Sequence, residues 1–158
     1  MKPNHSLTIT RQLKHERARV FSALTDPAKM SQWFFMTGGR AQVTNELRRG
    51  GKYRIEMSKG DYKGTSEGEY LEIVPPERLV FSWHACGGGG PETRATITLA
   101  EQDGGTLLTI VHELPEEQVA GHRDGWNMCF DHLGMYLDGR RPVGAEPAEP
   151  AVAATASV

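Results

Sequence analysis

The sequence predicts an α+β fold in which one antiparallel sheet is covered by a long helix. Residues 41–113 break into six short alternating stretches separated by Gly- and Pro-containing turns. One strand-like and two helix-like stretches precede them, and a single amphipathic stretch, 114–139, follows. Strands that run in sequence, with a long helix available to cover them, make this architecture.

The elements follow in order. "SLTITRQL" alternates Leu7, Ile9 and Leu13 with Thr8, Thr10 and Gln12, the period of a strand. "HERARVFSALTDP" changes period, so that Ala18, Val20, Phe21 and Leu24 suit one helical face and Asp26-Pro27 ends it. "PAKMSQWF" restarts as a short helix with Pro27 in its first turn, and "GGRAQV" breaks it. The six strands are "AQVTNEL", "GKYRIEMS", "GTSEGEYLEIV", "ERLVFSWH", "TRATITLAE" and "GTLLTIVHE". In "GEYLEIV", Leu71 and Ile73 fall on one parity and Tyr70 on the other, which requires a bulge at an undetermined position. It also leaves the face of Glu67 and Glu69 undetermined. The closing helix has Pro115, Glu116 and Glu117 in its first turn and Gly139 as its C-terminal stop.

The chain of 158 residues suits one domain, expected over residues 1–141. Residues 142–158, "PVGAEPAEPAVAATASV", lack aromatic residues and periodicity and are expected to be a disordered tail. With 18 basic and 20 acidic residues, nothing points to nucleic acid or a membrane surface as a partner. No apolar run is long enough to span a bilayer, and "MKPNHSLTIT" lacks the apolar core of a signal peptide. Cys86 and Cys129 are too few for a disulfide scaffold, although a single bridge stays open; the expected setting is cytoplasmic.

On a helical projection centred on Trp126, Val119, Leu133 and Leu137 fall within about 20° and Phe130 and His122 within about 40°. His132 points away from this stripe. The two histidines are ten residues apart rather than at the i,i+4 spacing of a chelating pair, and no HExxH or CxxC is present, so neither metal nor cofactor is expected. Cys129 reads as a small buried apolar residue. Met128 and Met135, seven apart on the outer face, read either as two exposed methionines or as a contact for a partner or a second copy in a homodimer. "GGGG" (87–90) precedes a strand rather than a helix, which fits a mobile hairpin loop at a cavity mouth better than a phosphate loop. "LRRGGK" reads as a solvated turn, able to attract an anionic group.

By alternation, Tyr53, Ile55 and Met57, Phe81 and Trp83, and Leu108, Ile110 and His112 face the helix. Trp126, Phe130 and His122 meet them from the helix, with Trp33 and Phe34 from the short helix. Aromatic walls with a few polar groups suit a small-molecule pocket, and they equally suit a solid aromatic core.

"ARVFSALTDPAKMSQWF", "GGKYRIEM", "GEYLEIVPPERLVFSWH", "GTLLTIVHE" and "HRDGWNMCFDHLGMYL" together resemble the bacterial activator-of-heat-shock-chaperone-ATPase homologue family of the START-like (SRPBCC) superfamily. The resemblance runs from about residue 6 to 139, in order. It implies a helix-grip fold: a curved antiparallel sheet around a long C-terminal helix, with two short helices after the first strand. It implies a deep cavity between sheet and helix for apolar or aromatic ligands, with Trp33, Trp83, His122, Arg123 and Trp126 lining the cavity or its mouth.

The favoured expectation is a small-molecule-binding protein whose apolar or aromatic ligand meets Trp33, Phe34, Tyr53, Phe81, Trp83, His112, His122, Trp126 and Phe130. One alternative is a stress-response accessory that binds a chaperone and activates its ATPase. Another is a hydrolase or cyclase using His112 or His122 as its acid–base group. Fold alone does not choose among them.

Overall fold

The computed structural model describes residues 5–84 and 91–142. Seven strands form one antiparallel sheet: β1 (His5–Leu13), β2 (Arg40–Asn45), β3 (Lys52–Lys59), β4 (Tyr62–Val74), β5 (Arg78–Trp83), β6 (Thr93–Gln102) and β7 (Gly105–Leu114). Helices α1 (Arg17–Thr25) and α2 (Pro27–Met30) lie between β1 and β2, and α3 (Val119–Leu137) follows a short 3-10 turn, Glu116–Gln118. The sheet order is β1-β7-β6-β5-β4-β3-β2. This is the helix-grip fold. The quadruple glycine, Cys86 and the segment beyond Pro142 lie outside the described residues.

Period-two burial sets the concave face. Leu7 and Ile9 on β1, Ala95, Ile97 and Leu99 on β6, and Leu108, Ile110 and His112 on β7 are buried, while Thr96 and Thr98 are partly exposed. The parity conflict in β4 resolves at a bulge between Tyr70 and Glu72. Tyr70 is buried and Leu71 is turned out to 38% exposure. Upstream of the bulge, Ser66 pairs with Ile55 and Gly68 with Tyr53, so the inward row of β4 is Gly64, Ser66 and Gly68. Glu67 and Glu69 therefore sit on the outer face, where they pair with Arg54 and Lys52.

Gly68 has a steric reason. A Cβ there would lie 2.0 Å from the carbonyl oxygen of Ser82, where the Tyr53 hydroxyl donates a hydrogen bond at 2.5 Å.

Helix α1 buries Val20, Phe21, Ala23, Leu24 and Thr25; Ala18, expected on that face, is exposed. The apolar side of this short helix is therefore turned toward Ala23 and Thr25. Asp26 caps α2 by accepting from the Ala28 amide, ahead of Pro27 at the first position.

The C-terminal half of α3 is fastened to the first part of the chain. Arg11 donates to the Asn127 carbonyl and side-chain oxygens and pairs with Asp131 at 2.7 Å. Arg19 donates to the carbonyl of Leu137, one of the last free acceptors of the helix. His15 meets Asp138 at 2.8 Å, and this bond holds the Asp138 carboxyl below its ordinary range. Gly139, at φ 79°, ends the helix as expected.

His132 departs from the projection: it is buried at 3% exposure. The segment after α2 covers that flank of α3. Its Thr37 hydroxyl and Trp33 carbonyl lie 3.0 and 3.3 Å from the imidazole nitrogens, and the Phe35 ring packs at 5.0 Å. The same segment explains Met128, whose sulfur accepts from the Thr37 amide at 3.4 Å.

Candidate ligand-binding site

The stripe of α3 meets the sheet through aromatic rings. After α2 the chain turns tightly, with the Met30 carbonyl accepting from the amides of Trp33 and Phe34. This turn delivers both rings to the interface, and the Trp33 indole is fixed by donating to the Ala23 carbonyl at 2.9 Å. Phe34 stacks on Trp83 with centroids 6.1 Å apart and meets Trp126 edge-on at 5.5 Å. Trp83 lies 5.3 Å from Trp126, and Phe130 backs Trp126 at 5.5 Å. Phe81 touches both tryptophans and Tyr53 edge-on. The structure thus brings the nine expected residues into one neighbourhood.

The polar atoms here are matched by a crossed arrangement. Trp126 on α3 donates its indole N–H to Nδ1 of His112 on β7 at 3.0 Å. Trp83 on β5 donates to Nε2 of His122 on α3 at 3.1 Å. An indole N–H only donates, so the accepting nitrogens are deprotonated and both tautomers follow. His112 carries its proton on Nε2 and donates to the Thr93 hydroxyl at 2.8 Å, which donates to the Trp83 carbonyl. His122 carries its proton on Nδ1 and donates to the Gln118 carbonyl at 2.9 Å. Burial, with His122 beside it, pushes the pKa of His112 down to about 3. Burial, with Tyr70 nearby, pushes the Tyr53 phenol well above its ordinary range.

Both histidines thus have both ring nitrogens engaged. An acid–base residue needs a nitrogen free to reach a substrate proton. The arrangement holds both indoles in place.

Space is distributed unevenly around the rings. Inside, between Tyr53, Tyr70, Leu79, Phe81 and Ile97, an apolar void measures about 30 Å³, room for little more than a water molecule. Outside it, a cleft of about 300 Å³ opens between the N-terminal half of α3, the β3–β4 hairpin and the Phe34–Met36 segment. Phe34, Trp83 and Trp126 line both spaces and form the wall between them. The interior is close-packed apart from the small void, and the larger space is the outer cleft, which reaches the lower end of ligand-pocket volumes.

This sorts the expected residues. Phe34, Trp83, His122 and Trp126 line the cleft. Trp33, Tyr53 and Phe81 line only the inner void. Phe130 and His112 line neither: Phe130 supports Trp126 from behind, and His112 anchors its indole. Arg123 is exposed on the solvent side of α3, away from both spaces. Sequence reasoning missed Met36, Met57, Tyr62 and Met128 as cleft walls, and it missed Ser66, Gly121 and Gly125 at its floor and edge. The signal for the last three was an absence of bulk: small residues on the inward parity of β4, and glycines four apart on α3 beside Trp126.

Among the described residues, no three His, Cys, Asp or Glu side chains converge as a metal site would need, and no helix is long and apolar enough to cross a membrane.

The family model described as activator of Hsp90 ATPase homolog 1-like protein matches residues 14–138. Among solved structures, protein CV1439 from Chromobacterium violaceum aligns with a TM-score of 0.77 at 28% identity, over 84% of this chain and 96% of that one. CalU16 from Micromonospora echinospora aligns at 0.67 and 29% identity, over 84% and 75%. DynU16, described as a protein in the dynemicin biosynthetic locus, aligns at 0.74 and 25% identity, over 91% and 52%. No curated protein matches the chain.

Proposed function

Because the chain belongs to the activator of Hsp90 ATPase homolog 1-like family, on the START-like fold, we propose that it is a binding protein for a small apolar or aromatic molecule. The observation that carries this reading is the outer cleft, about 300 Å³ in volume and walled by Phe34, Trp83 and Trp126. Its apolar walls match what small ligands require. Residues 1–141 are the working unit of this reading, with 142–158 as a tail outside it. The location of DynU16 in a biosynthetic locus is a property of that protein; it lends support to small-molecule handling on this fold.

The catalytic alternative would require one of the imidazoles to give up a bond, since both are engaged with indoles and with Thr93 or Gln118. The chaperone-accessory alternative draws on the family description alone.

Two of the three tryptophans border the cleft, so intrinsic fluorescence reports on its occupancy. A panel of neutral aromatic and lipid-like compounds, read by tryptophan emission and melting temperature, is expected to contain binders that move both. A ligand at about 100 times its Kd stabilises the folded state by about 2.7 kcal/mol. A panel that leaves both readouts unchanged removes the reading.

A further inference from the structure

We propose that the occupant of the outer cleft is an uncharged molecule with an apolar body and one hydrogen-bonding oxygen, and that this oxygen docks on the hydroxyl of Ser66. This inference rests on the ligand-binding reading and specifies the chemistry of the same site.

Ser66 lies on the inward face of β4, opposite Ile55, with no solvent exposure. Its Oγ is one of two buried side-chain polar atoms without a hydrogen-bond partner among the described residues, and it is the one that lines the cleft. Buried hydroxyls nearly always find a partner, because losing water without replacement is unfavourable. Here a partner is missing among the described residues, while the indoles of Trp83 and Trp126 are matched. Ser66 belongs to the wall of a space large enough for a molecule, and a shift of the lining side chains would open its covered hydroxyl to that molecule.

The rest of the lining sets the occupant's class. Gly121 and Gly125 form the helix edge of the cleft, and a Cβ at either would meet nothing within 4 Å. Glycine inside a helix lowers its stability, and at these two positions its effect is to keep the cleft open. Met36, Met57 and Met128 supply adaptable apolar walls. Among the described residues, no Lys, Arg, Asp or Glu lines the cleft. A carboxylate, phosphate or ammonium would enter without a counter-charge, which burial disfavours. A neutral phenol, alcohol or ketone on an apolar frame fits both the walls and the Ser66 hydroxyl.

The test compares 2-naphthol, naphthalene and 2-naphthoate by isothermal titration calorimetry on the full chain and two variants. The wild type is expected to bind 2-naphthol about tenfold more tightly than naphthalene, the ratio that one net hydrogen bond supplies, and to reject 2-naphthoate. Ser66→Ala is expected to bind both neutral probes with the affinity of naphthalene for the wild type. Because it removes an unmatched buried group, it should melt at or above the wild-type temperature, which separates a ligand contact from a structural one. Gly125→Leu fills the cleft from the helix side and is expected to lose binding of both neutral probes while remaining folded. Equal affinity of the wild type for naphthol and naphthalene, or a preference that survives Ser66→Ala, overturns the role of Ser66 and leaves the binding reading standing. Undiminished binding by Gly125→Leu overturns the location. Binding of none of the three probes by the wild type overturns this inference, while the broader ligand panel decides the binding reading separately.

Discussion

The indole of Trp126 is held by His112 across the interface of helix and sheet, N–H to Nδ1, at 3.0 Å. The pair of Trp83 and His122 repeats the contact with the elements exchanged, strand tryptophan to helix histidine. The N-terminal half of α3 is thereby fixed from both sides. The orientation of the cleft's principal walls depends on two neutral imidazoles.

Acid should therefore loosen the fold. The pKa of His112 is depressed to about 3, by burial first and by His122 second. In the unfolded chain it titrates near its ordinary value, about 6.5. Between these values the unfolded state binds the proton and the folded state does not, so stability is fully present above about 6.5 and falls as pH drops toward 3. The slope for this one group is about 1.4 kcal/mol per pH unit, or about 2 kcal/mol between pH 6.5 and 5. Urea unfolding of the wild type and of His112→Gln at these two pH values measures it. The variant is expected to lose that share of the pH dependence; an unchanged slope would remove His112 as its source.

Trp126→Phe keeps a ring but removes the donor, leaving Nδ1 of His112 buried without a partner. The expected loss of stability is about 1–3 kcal/mol, the usual cost of such an orphaned group. His112→Phe in the same background removes the orphan and should cost less than the two single changes added together. A double-mutant cycle of urea midpoints shows the coupling; strict additivity would mean that the bond contributes nothing.

Two glycines should respond oppositely to alanine. At Gly68 the new Cβ would fall 2.0 Å from the Ser82 carbonyl oxygen and 2.7 Å from the Tyr53 hydroxyl. The backbone must move there, and a loss of at least about 1–3 kcal/mol is expected, as for other overpacked sites. At Gly125 the Cβ meets nothing within 4 Å and helix propensity improves, so a gain of about 1 kcal/mol is expected. Thermal unfolding of both variants checks the signs.

Much of this molecule was legible from alternation and helical spacing. The seven strands, the Trp126 stripe and the inward rings of Tyr53, Phe81, Trp83 and His112 all follow from local patterns. What was missed depends on distant neighbours or on missing atoms. His132 lies on the polar side of a projection that includes α3 alone; the burial comes from Phe35 and Thr37, about 95 residues away. The bulge at Leu71 is a matter of register, which alternation on one strand does not determine. Ser66, Gly121 and Gly125 define the open space by what they lack, and apolar periodicity registers only bulk that is present. The engagement of both histidine nitrogens needed the positions of Thr93 and Gln118 as well as the indoles.

The pairing of β1 with β7 has a consequence for synthesis. His5 lies opposite Leu114, so β1 leaves the ribosome about 100 residues before its neighbour. Until then it is an unsatisfied edge, able to recruit any extended segment nearby. Closure across so long a loop is slow, so the pairing of β1 with β7 is expected late in folding. Because Arg11, His15 and Arg19 carry fastenings of α3, β1 and the residues just after it tie the late helix and the late strand to the same short stretch of chain.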